Sequence, residues 1–278
     1  MPELPELQAH AERLTTEFGG TELDRFHALS FTVLKTAAPP PDAAEGHSLA
    51  RVGRRGKYLL VAFDPCTFVV HLMQGGRLKP DEKQSAKPRG ALGRWVFADG
   101  RALLLTEAGK EKRAGVWVVA GDLESQDPLL GLGPDADVIS RQQLSSALRA
   151  RSMRLHGFLR DQRNLAGVGR RLANEVCHRA RLSPFASTSK LRDEDVAGLH
   201  DALQWCIEES LIYERARDDM SSSKERPGAV HHRAGEDCPV CGDTVRAVEY
   251  SSYTVNYCPS CQTGGKILAD NTTSKFLK

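Results

Sequence analysis

The spacing of apolar positions divides this chain into a strand-rich first half and a helical second half. Leu7, Ala11, Leu14 and Phe18 recur at steps of four, three and four, the period of an amphipathic helix that stops at Gly19-Gly20. Pro5 falls at a first-turn position of that helix, where a missing N–H is tolerated. Later apolar runs are too short for helices and rich in β-formers: Tyr58 to Phe63, Phe68 to Met73, Trp95 to Ala98, Leu103 to Thr106 and Val116 to Ala120. Asp99-Gly100 between two of them is a strong hairpin turn. The first half therefore reads as mostly antiparallel β, a sandwich or flattened barrel.

The stretch "SQDPLLGLGPDAD" (125–137) is rich in Pro, Gly and Asp and reads as a linker. Beyond it, Ser140 can cap a helix through about Arg149, and helical patterning continues around "RRLANEVCHRARL". From Asp193 a long helix is expected to place Val196, Leu199, Leu203, Ile207 and Leu211 on one face. "DDMSSSKERPGAV" is a polar, turn-rich loop, and no internal repeat is visible. At 278 residues the chain has room for two domains with sizeable cores. It shows neither a run of eighteen apolar residues nor a charged leader before an apolar stretch, so a cytoplasmic protein is expected.

Charge and cysteine spacing sharpen this outline. The net charge is only +2, but between Arg141 and Arg181 ten arginines face two acids, the footprint of a polyanion partner. Seven cysteines, an odd number, argue against a disulfide framework, and four of them fall in the last 41 residues. "CPVC" and "CPSC" place Cys238, Cys241, Cys258 and Cys261 in the pattern C-x2-C-x16-C-x2-C, the spacing of a closed four-thiolate site for one structural zinc ion. The residues between the knuckles alternate enough to form a β-hairpin. Cys66, Cys177 and Cys206 are isolated and read as ordinary buried residues.

Four short stretches carry candidate chemistry. "MPELPE" opens the chain; a terminal Met before Pro is usually trimmed, leaving Pro2 as a free secondary amine, a nucleophile, with Glu3 directly behind it. "GRRGKYLL" presents Lys57 at the mouth of a strand. "HLMQGGRL" ends an apolar strand in a glycine-rich tip, where Met73 is either core or a wedge between bases. "GVGRRLANE" puts Gly167 and Gly169 in a turn before a helix that starts at Arg170 and Arg171, an arrangement suited to phosphate.

Taken in order, these stretches, together with "KRAG", "AGVGRRLANEVCHRARLSP" and the four-cysteine finger, resemble the formamidopyrimidine-DNA glycosylase and endonuclease VIII family of base-excision repair enzymes. The likeness covers nearly the whole chain, and the head "MPELPE" is closer to the formamidopyrimidine branch. It implies an α+β protein: an N-terminal antiparallel β-sandwich with a flanking helix, a helix-two-turn-helix domain and a zinc-finger hairpin, with DNA held between them. The expected division is a catalytic domain over 1–125, a linker over 126–138, a helix-two-turn-helix domain over 139–222, a zinc finger over 223–264 and a tail over 265–278. Carried over residue by residue, Pro2 is the nucleophile, Glu3 the acid that assists sugar-ring opening, Glu6 a supporting carboxylate and Lys57 the phosphate-binding lysine. Met73, or its neighbour Gln74, and Arg113 would fill the gap left by a flipped nucleotide. Gly169 and Arg170 would hold phosphate at the helix start.

The chain departs from the family pattern at four positions. Tyr253 stands where the family's finger arginine is expected, and Arg170 where an asparagine usually follows G-x-G. Ala114 replaces a wedge phenylalanine, and His156 a substrate-binding lysine. The tail carries Lys266, Lys275 and Lys278 and is a candidate DNA or partner contact. The resemblance implies a monomeric bifunctional glycosylase and abasic-site lyase acting on double-stranded DNA with a damaged base or abasic site, nucleoid-associated when on DNA. Oxidised purine and oxidised pyrimidine remain open as substrates. The alternative is a non-catalytic paralogue that binds damaged DNA or abasic sites.

Overall fold

In a computed structural model, described for residues 1–86, 88–109, 111–221 and 225–268, the chain divides into two compact units, Met1–Leu132 and Gly133–Lys278. The first unit opens with α1 (Leu4–Phe18), whose buried face comprises Leu4, Leu7, Ala11, Leu14 and Phe18. Eight strands follow: β1 (Leu23–Ala28), β2 (Leu49–Arg55), β3 (Tyr58–Phe63), β4 (Cys66–His71), β5 (Gly76–Pro80), β6 (Ala91–Phe97), β7 (Ala102–Glu107) and β8 (Gly115–Ala120). They form two antiparallel sheets, ordered β1-β6-β7-β5 and β2-β3-β4-β8. Phe26 and Trp95 from the first sheet meet Phe68 from the second, itself packed on Phe63, with Phe26 and Trp95 4.8 Å apart and Phe68 and Trp95 5.6 Å apart between ring centroids. This aromatic contact is the centre of the sandwich.

Two predicted strands shift. The run expected to reach Met73 stops at His71, because Met73 takes a left-handed φ of 52° that no ladder accepts. The run around Trp95 begins earlier, at Ala91, and ends at Phe97, one residue short of the Ala98 expected from sequence. Strands β1, β2 and β5 escape apolar-run reading because their exposed positions carry charge; β2, "LARVGRR", buries only Leu49 and Val52. The Pro/Gly/Asp-rich stretch near residue 130 is not a bare connector. Leu129 is buried against Val69 and Val119, so this segment covers the outer face of the second sheet.

The second unit contains α2 (Arg141–Ala150), α3 (Leu155–Arg160), α4 (Arg170–Arg179), α5 (Asp193–Arg215), the hairpin β9 (Arg246–Glu249) and β10 (Thr254–Tyr257), and the single turn α6 (Pro259–Gln262). Ser140 caps α2 in a capping box with Gln143. On α5 the buried stripe runs Val196, Leu199, Leu203, Ile207 and then Ser210 and Glu214; Leu211 lies off it and is only half-buried. Glu214 is fully buried and is paired by Arg226 and by the Ser221 amide. That pairing pins both sides of the polar loop after α5. Among the described residues no helix is long and apolar enough to cross a membrane.

Helix α4 is buried nearly all round, and much of its buried surface is polar. Arg171 donates to the Pro227 carbonyl at 2.7 Å, and Asn174 donates to His231 Nδ1 at 2.9 Å. The Glu175 carboxylate accepts from the amides of Ala229, Val230 and His231 at 2.8–3.1 Å. One turn on, His178 Nε2 lies 3.3 Å from Cys238 Sγ. These residues recur at helical spacing, so one face of α4 organises the whole 226–238 segment.

The Glu175 contacts carry a direct expectation. Glu175→Ala leaves three backbone amides without their acceptor and should destabilise the second unit by about 3 kcal/mol, read as a lowered urea midpoint, with Glu175→Gln intermediate. A midpoint unchanged in Glu175→Ala would show that water replaces the carboxylate.

Candidate active site

The start of α1 builds the first part of the site. Glu3 is the N-cap, Pro5 lies in the first turn, and Glu6 accepts from the Glu3 amide at 2.9 Å in a capping box. Both carboxylates are buried, at 6% and 3% exposure, which the positive end of the helix dipole favours. Pro2 is half-buried beside them. The helix is registered on β2 by Thr15, which both donates to Val52 O and accepts from Val52 N, and by Arg54 donating to Gln8. The two elements run in opposite directions, so the head of α1 lies level with the Arg55-Gly56-Lys57 turn. Gly56 takes a φ of 55° there, which lets β2 and β3 meet in a tight turn and presents Lys57.

His71 closes β4. It pairs with Tyr58 across the sheet and its ring lies 4.7 Å from the Tyr58 ring. Burial, then the Lys57 ammonium, then the chain's N-terminal amine push its pKa down to about 4. His71 is therefore a neutral imidazole at the end of β4. Burial, reinforced by Asp127, pushes the Tyr58 hydroxyl pKa up.

The same end of the sandwich carries the tip and the arginine loop. His71 Nδ1 accepts from the Met73 amide at 3.3 Å, and Gly76 N donates to Leu72 O at 2.8 Å, closing the tip around Met73 and an exposed Gln74. A Cβ at Gly76 would meet the Leu72 oxygen at 2.2 Å, so only glycine closes this turn. Glu107, opposite Gly76 in the ladder, is buried and accepts from the amides of Arg113 and Ala114 at 2.6 and 2.8 Å. The Arg113 side chain is exposed and pairs with Glu111, whereas Ala114 is buried. Pro2, Glu3, Glu6, Lys57, Met73, Gln74 and Arg113 thus belong to one unit and cluster toward one end of it. His71 and Glu107 were not singled out by sequence; His71 lies inside the quoted "HLMQGG", but nothing marks Glu107 beyond an acid closing an apolar strand.

In the second unit, the Gln162 side chain pins the Gly-Val-Gly turn, accepting from Gly167 N at 2.9 Å and donating to Val168 O at 2.9 Å. Gly169 then caps α4, leaving Arg170 exposed at its first position. His156, on α3, is buried, and its ring runs parallel to that of Tyr253 at 6.1 Å. Tyr250 stacks on Tyr253 at 4.6 Å, and the Arg160 guanidinium lies over the Tyr253 ring at 3.9 Å. The arginine-rich stretch is less uniformly available than its count suggests. Arg141 and Arg149 pair with Asp201 and Asp193 of α5, Arg163 pairs with Asp161, and Arg171 is buried. Acids distant in sequence neutralise part of a local excess.

The four cysteines meet as a cluster. All four Sγ atoms lie within 4.8 Å of one another, with Cys238 and Cys261 3.9 Å apart and Cys241 and Cys258 3.4 Å apart. A tetrahedral ion with sulfur ligands at about 2.3 Å requires sulfur separations near 3.8 Å, so the donor set fits such an ion. Asp243 of the first knuckle accepts from both the amide and the hydroxyl of Ser260 in the second, which locks the two together. Cys66, Cys177 and Cys206 are buried instead, and burial raises their thiol pKa values, so they remain protonated. Of the expected tail, residues 269–278, with Lys275 and Lys278, lie outside the described residues; Lys266 is described and donates its amide to Thr263 O.

This architecture is shared with solved DNA-repair proteins. MutM (Fpg) from Thermus thermophilus superposes with a TM-score of 0.82 at 27% identity, covering 96% of this chain and all of that one. Lactococcus lactis Fpg, solved with DNA containing an abasic site, gives a TM-score of 0.82 at 19% identity over 94% of this chain and 99% of that chain, a likeness of fold. The model of the formamidopyrimidine-DNA glycosylase N-terminal domain matches residues 1–112, and that of the formamidopyrimidine-DNA glycosylase H2TH domain matches residues 130–221. A formamidopyrimidine-DNA glycosylase from Roseiflexus is 30% identical over 274 residues, 94% of this chain and 100% of its own length. The chain belongs to the formamidopyrimidine-DNA glycosylase family.

Two buried imidazoles make the second unit acid-sensitive. Burial, then Arg160 and Arg170, lower the His156 pKa to about 3; burial, then His232 and the arginines 171, 170 and 226, lower that of His231 to about 3. In the unfolded chain both titrate near 6.5, so the unfolded state takes up protons first as pH falls. Stability is therefore full above about pH 6.5 and lost progressively below it, by roughly 1.4 kcal/mol per pH unit for each histidine. His231→Gln should flatten the dependence of the urea midpoint between pH 6 and 4; a slope equal to that of the unmodified protein would exclude His231 as a source.

Proposed function

We propose that this protein is a bifunctional DNA glycosylase and abasic-site lyase of base-excision repair that excises oxidatively damaged bases through an N-terminal proline. The observation that carries this reading is the capping box at the head of α1, which buries the Glu3 and Glu6 carboxylates beside half-buried Pro2 on a helix that Thr15 and Arg54 register against the strand leading into Lys57. After Met1 is removed, the Pro2 nitrogen lone pair forms a bond to C1′ of the damaged nucleotide. The C1′–base bond breaks, and its electron pair leaves with the base, which takes a proton. Glu3 donates a proton to O4′ as the sugar ring opens, leaving an iminium between Pro2 and C1′. Loss of a proton from C2′ then expels the 3′ phosphate and nicks the strand, and water hydrolyses the iminium.

The remaining residues position the substrate in this reading. Lys57 holds the phosphate beside the lesion, and Glu6 keeps Glu3 and the helix head in place. Met73, Gln74 and Arg113, on adjacent loops, occupy the space vacated by the flipped nucleotide, whose extrusion costs a few kcal/mol. On the second unit, Gly169 and Arg170 bind backbone phosphate at the start of α4. Cys238, Cys241, Cys258 and Cys261 hold one zinc ion, which supplies a structural cross-link and no open coordination position for chemistry. Double-stranded DNA bearing a damaged base or an abasic site is the partner.

Borohydride reduction in the presence of a duplex with one abasic site should trap a covalent protein–DNA adduct, and Pro2→Gly, which exchanges the secondary amine for a more mobile primary one, should reduce trapping by about tenfold or more. Glu3→Gln should slow base excision more than it slows cleavage at a preformed abasic site. No adduct from folded protein whose intact mass shows Met1 removed would replace the enzyme reading with that of a lesion-binding paralogue.

Metal analysis of purified protein should find one zinc per chain, and Cys258→Ser should abolish it together with much of the second unit's stability. Retention of stoichiometric zinc by Cys258→Ser would remove that cysteine from the ligand set.

A further inference from the structure

At two positions where family resemblance implies a cation, this chain has none: His156 in place of a lysine and Tyr253 in place of the finger arginine. Both positions converge on one arginine. Arg160 lies one helical turn after His156 on α3, and its guanidinium lies 3.9 Å above the Tyr253 ring. Tyr250 stacks on the same ring at 4.6 Å with an interplanar angle of 12°. A guanidinium and a parallel ring this close cannot share one face, so Tyr253 is covered on both. Tyr253 is therefore unsuited to stacking a nucleobase and suited to fixing an arginine.

Stacking uses the face of a guanidinium and leaves its N–H donors in the plane, the direction from which a phosphate is gripped. The backing is itself braced. Arg154 Nη1 donates to the Tyr250 hydroxyl at 2.9 Å, bringing an exposed arginine beside the half-buried Arg160. Arg160 and Arg170 both lower the pKa of the buried His156 imidazole. His156 stays neutral and adds no competing charge. Arg154 and Arg160 thus converge on an aromatic stack supplied by the finger hairpin.

We propose that Arg160 grips a DNA backbone phosphate, with Tyr253, backed by Tyr250, as the positioning residue that holds its guanidinium. The cation that the finger lacks is delivered from α3. This rests on the DNA-repair reading above and assigns within it how the second unit holds the strand.

The test is equilibrium binding of the full chain to a duplex carrying a tetrahydrofuran abasic analogue, measured across a salt series. Arg160→Met keeps the aliphatic stem over the ring and removes the charge; it should weaken binding roughly tenfold near 0.1 M salt and lower the slope of log affinity against log salt by about one. Tyr253→Ala should act in the same direction and Tyr253→Phe should restore the slope, because the ring and not the hydroxyl holds the arginine. Arg163→Ala removes an arginine already engaged by Asp161 and should leave the slope unchanged. If the unmodified protein binds and is trapped by borohydride while Arg160→Met retains its slope, the Arg160 assignment is wrong and the repair reading stands. If the unmodified protein neither prefers abasic DNA nor forms an adduct, the repair reading fails and this assignment fails with it.

Discussion

The second unit depends on α4 burying polar side chains in place of apolar ones. A buried polar group is stable only when its hydrogen bonds are complete, and on α4 Arg171, Asn174 and Glu175 complete theirs with the 226–231 segment and with β10. His178 continues the row to Cys238. The cysteine knuckles, the hairpin and the helix that begins at the Gly-Val-Gly turn therefore form one body. Changing one of these contacts perturbs both the start of α4 and the approach to the four-cysteine cluster.

The first unit solves a different problem, holding a chain terminus still. Termini fray unless they are tied down, and here the tie is an N-terminal helix whose first turn is capped by its own glutamates and whose later turns are registered on β2 through Thr15. That register brings the head of α1 level with the Lys57 turn. Nearby, Glu107 gathers the Arg113 loop and the glycine tip carries Met73. In the proposed reaction, the amine on the first residues of the chain becomes usable only through this kind of support.

In the proposed assignment, Arg160 and Tyr253 let a surface keep a charge where the resemblance leads one to expect a finger arginine. A guanidinium over an aromatic face keeps its planar fork, so its position can be set by one element and its charge supplied by another. Linear comparison sees two lost cations at 156 and 253. The packed protein has one arginine bearing on both.

Local patterning in the sequence is enough to specify α1, the cores of five strands, the four-cysteine spacing and the Pro-Glu head, because each depends on periodicity or on residues a few positions apart. It missed β1, β2 and β5: in β1 and β2 a register shift breaks the period of two, and β5 is short with charged positions at Arg77 and Lys79. It placed Leu211 in the α5 stripe, where tertiary packing selects Ser210 and Glu214 instead, since a buried carboxylate can be paired by Arg226 only after the chain has folded back. It counted ten arginines as one footprint although Asp193 and Asp201, far along the chain, neutralise two of them. The roles of His71, Glu107, Gln162 and Arg160 come from partners between two and about ninety residues away. Chemistry that resides in a motif was legible in the sequence; chemistry that depends on which side chain lies across from it was decided by the fold.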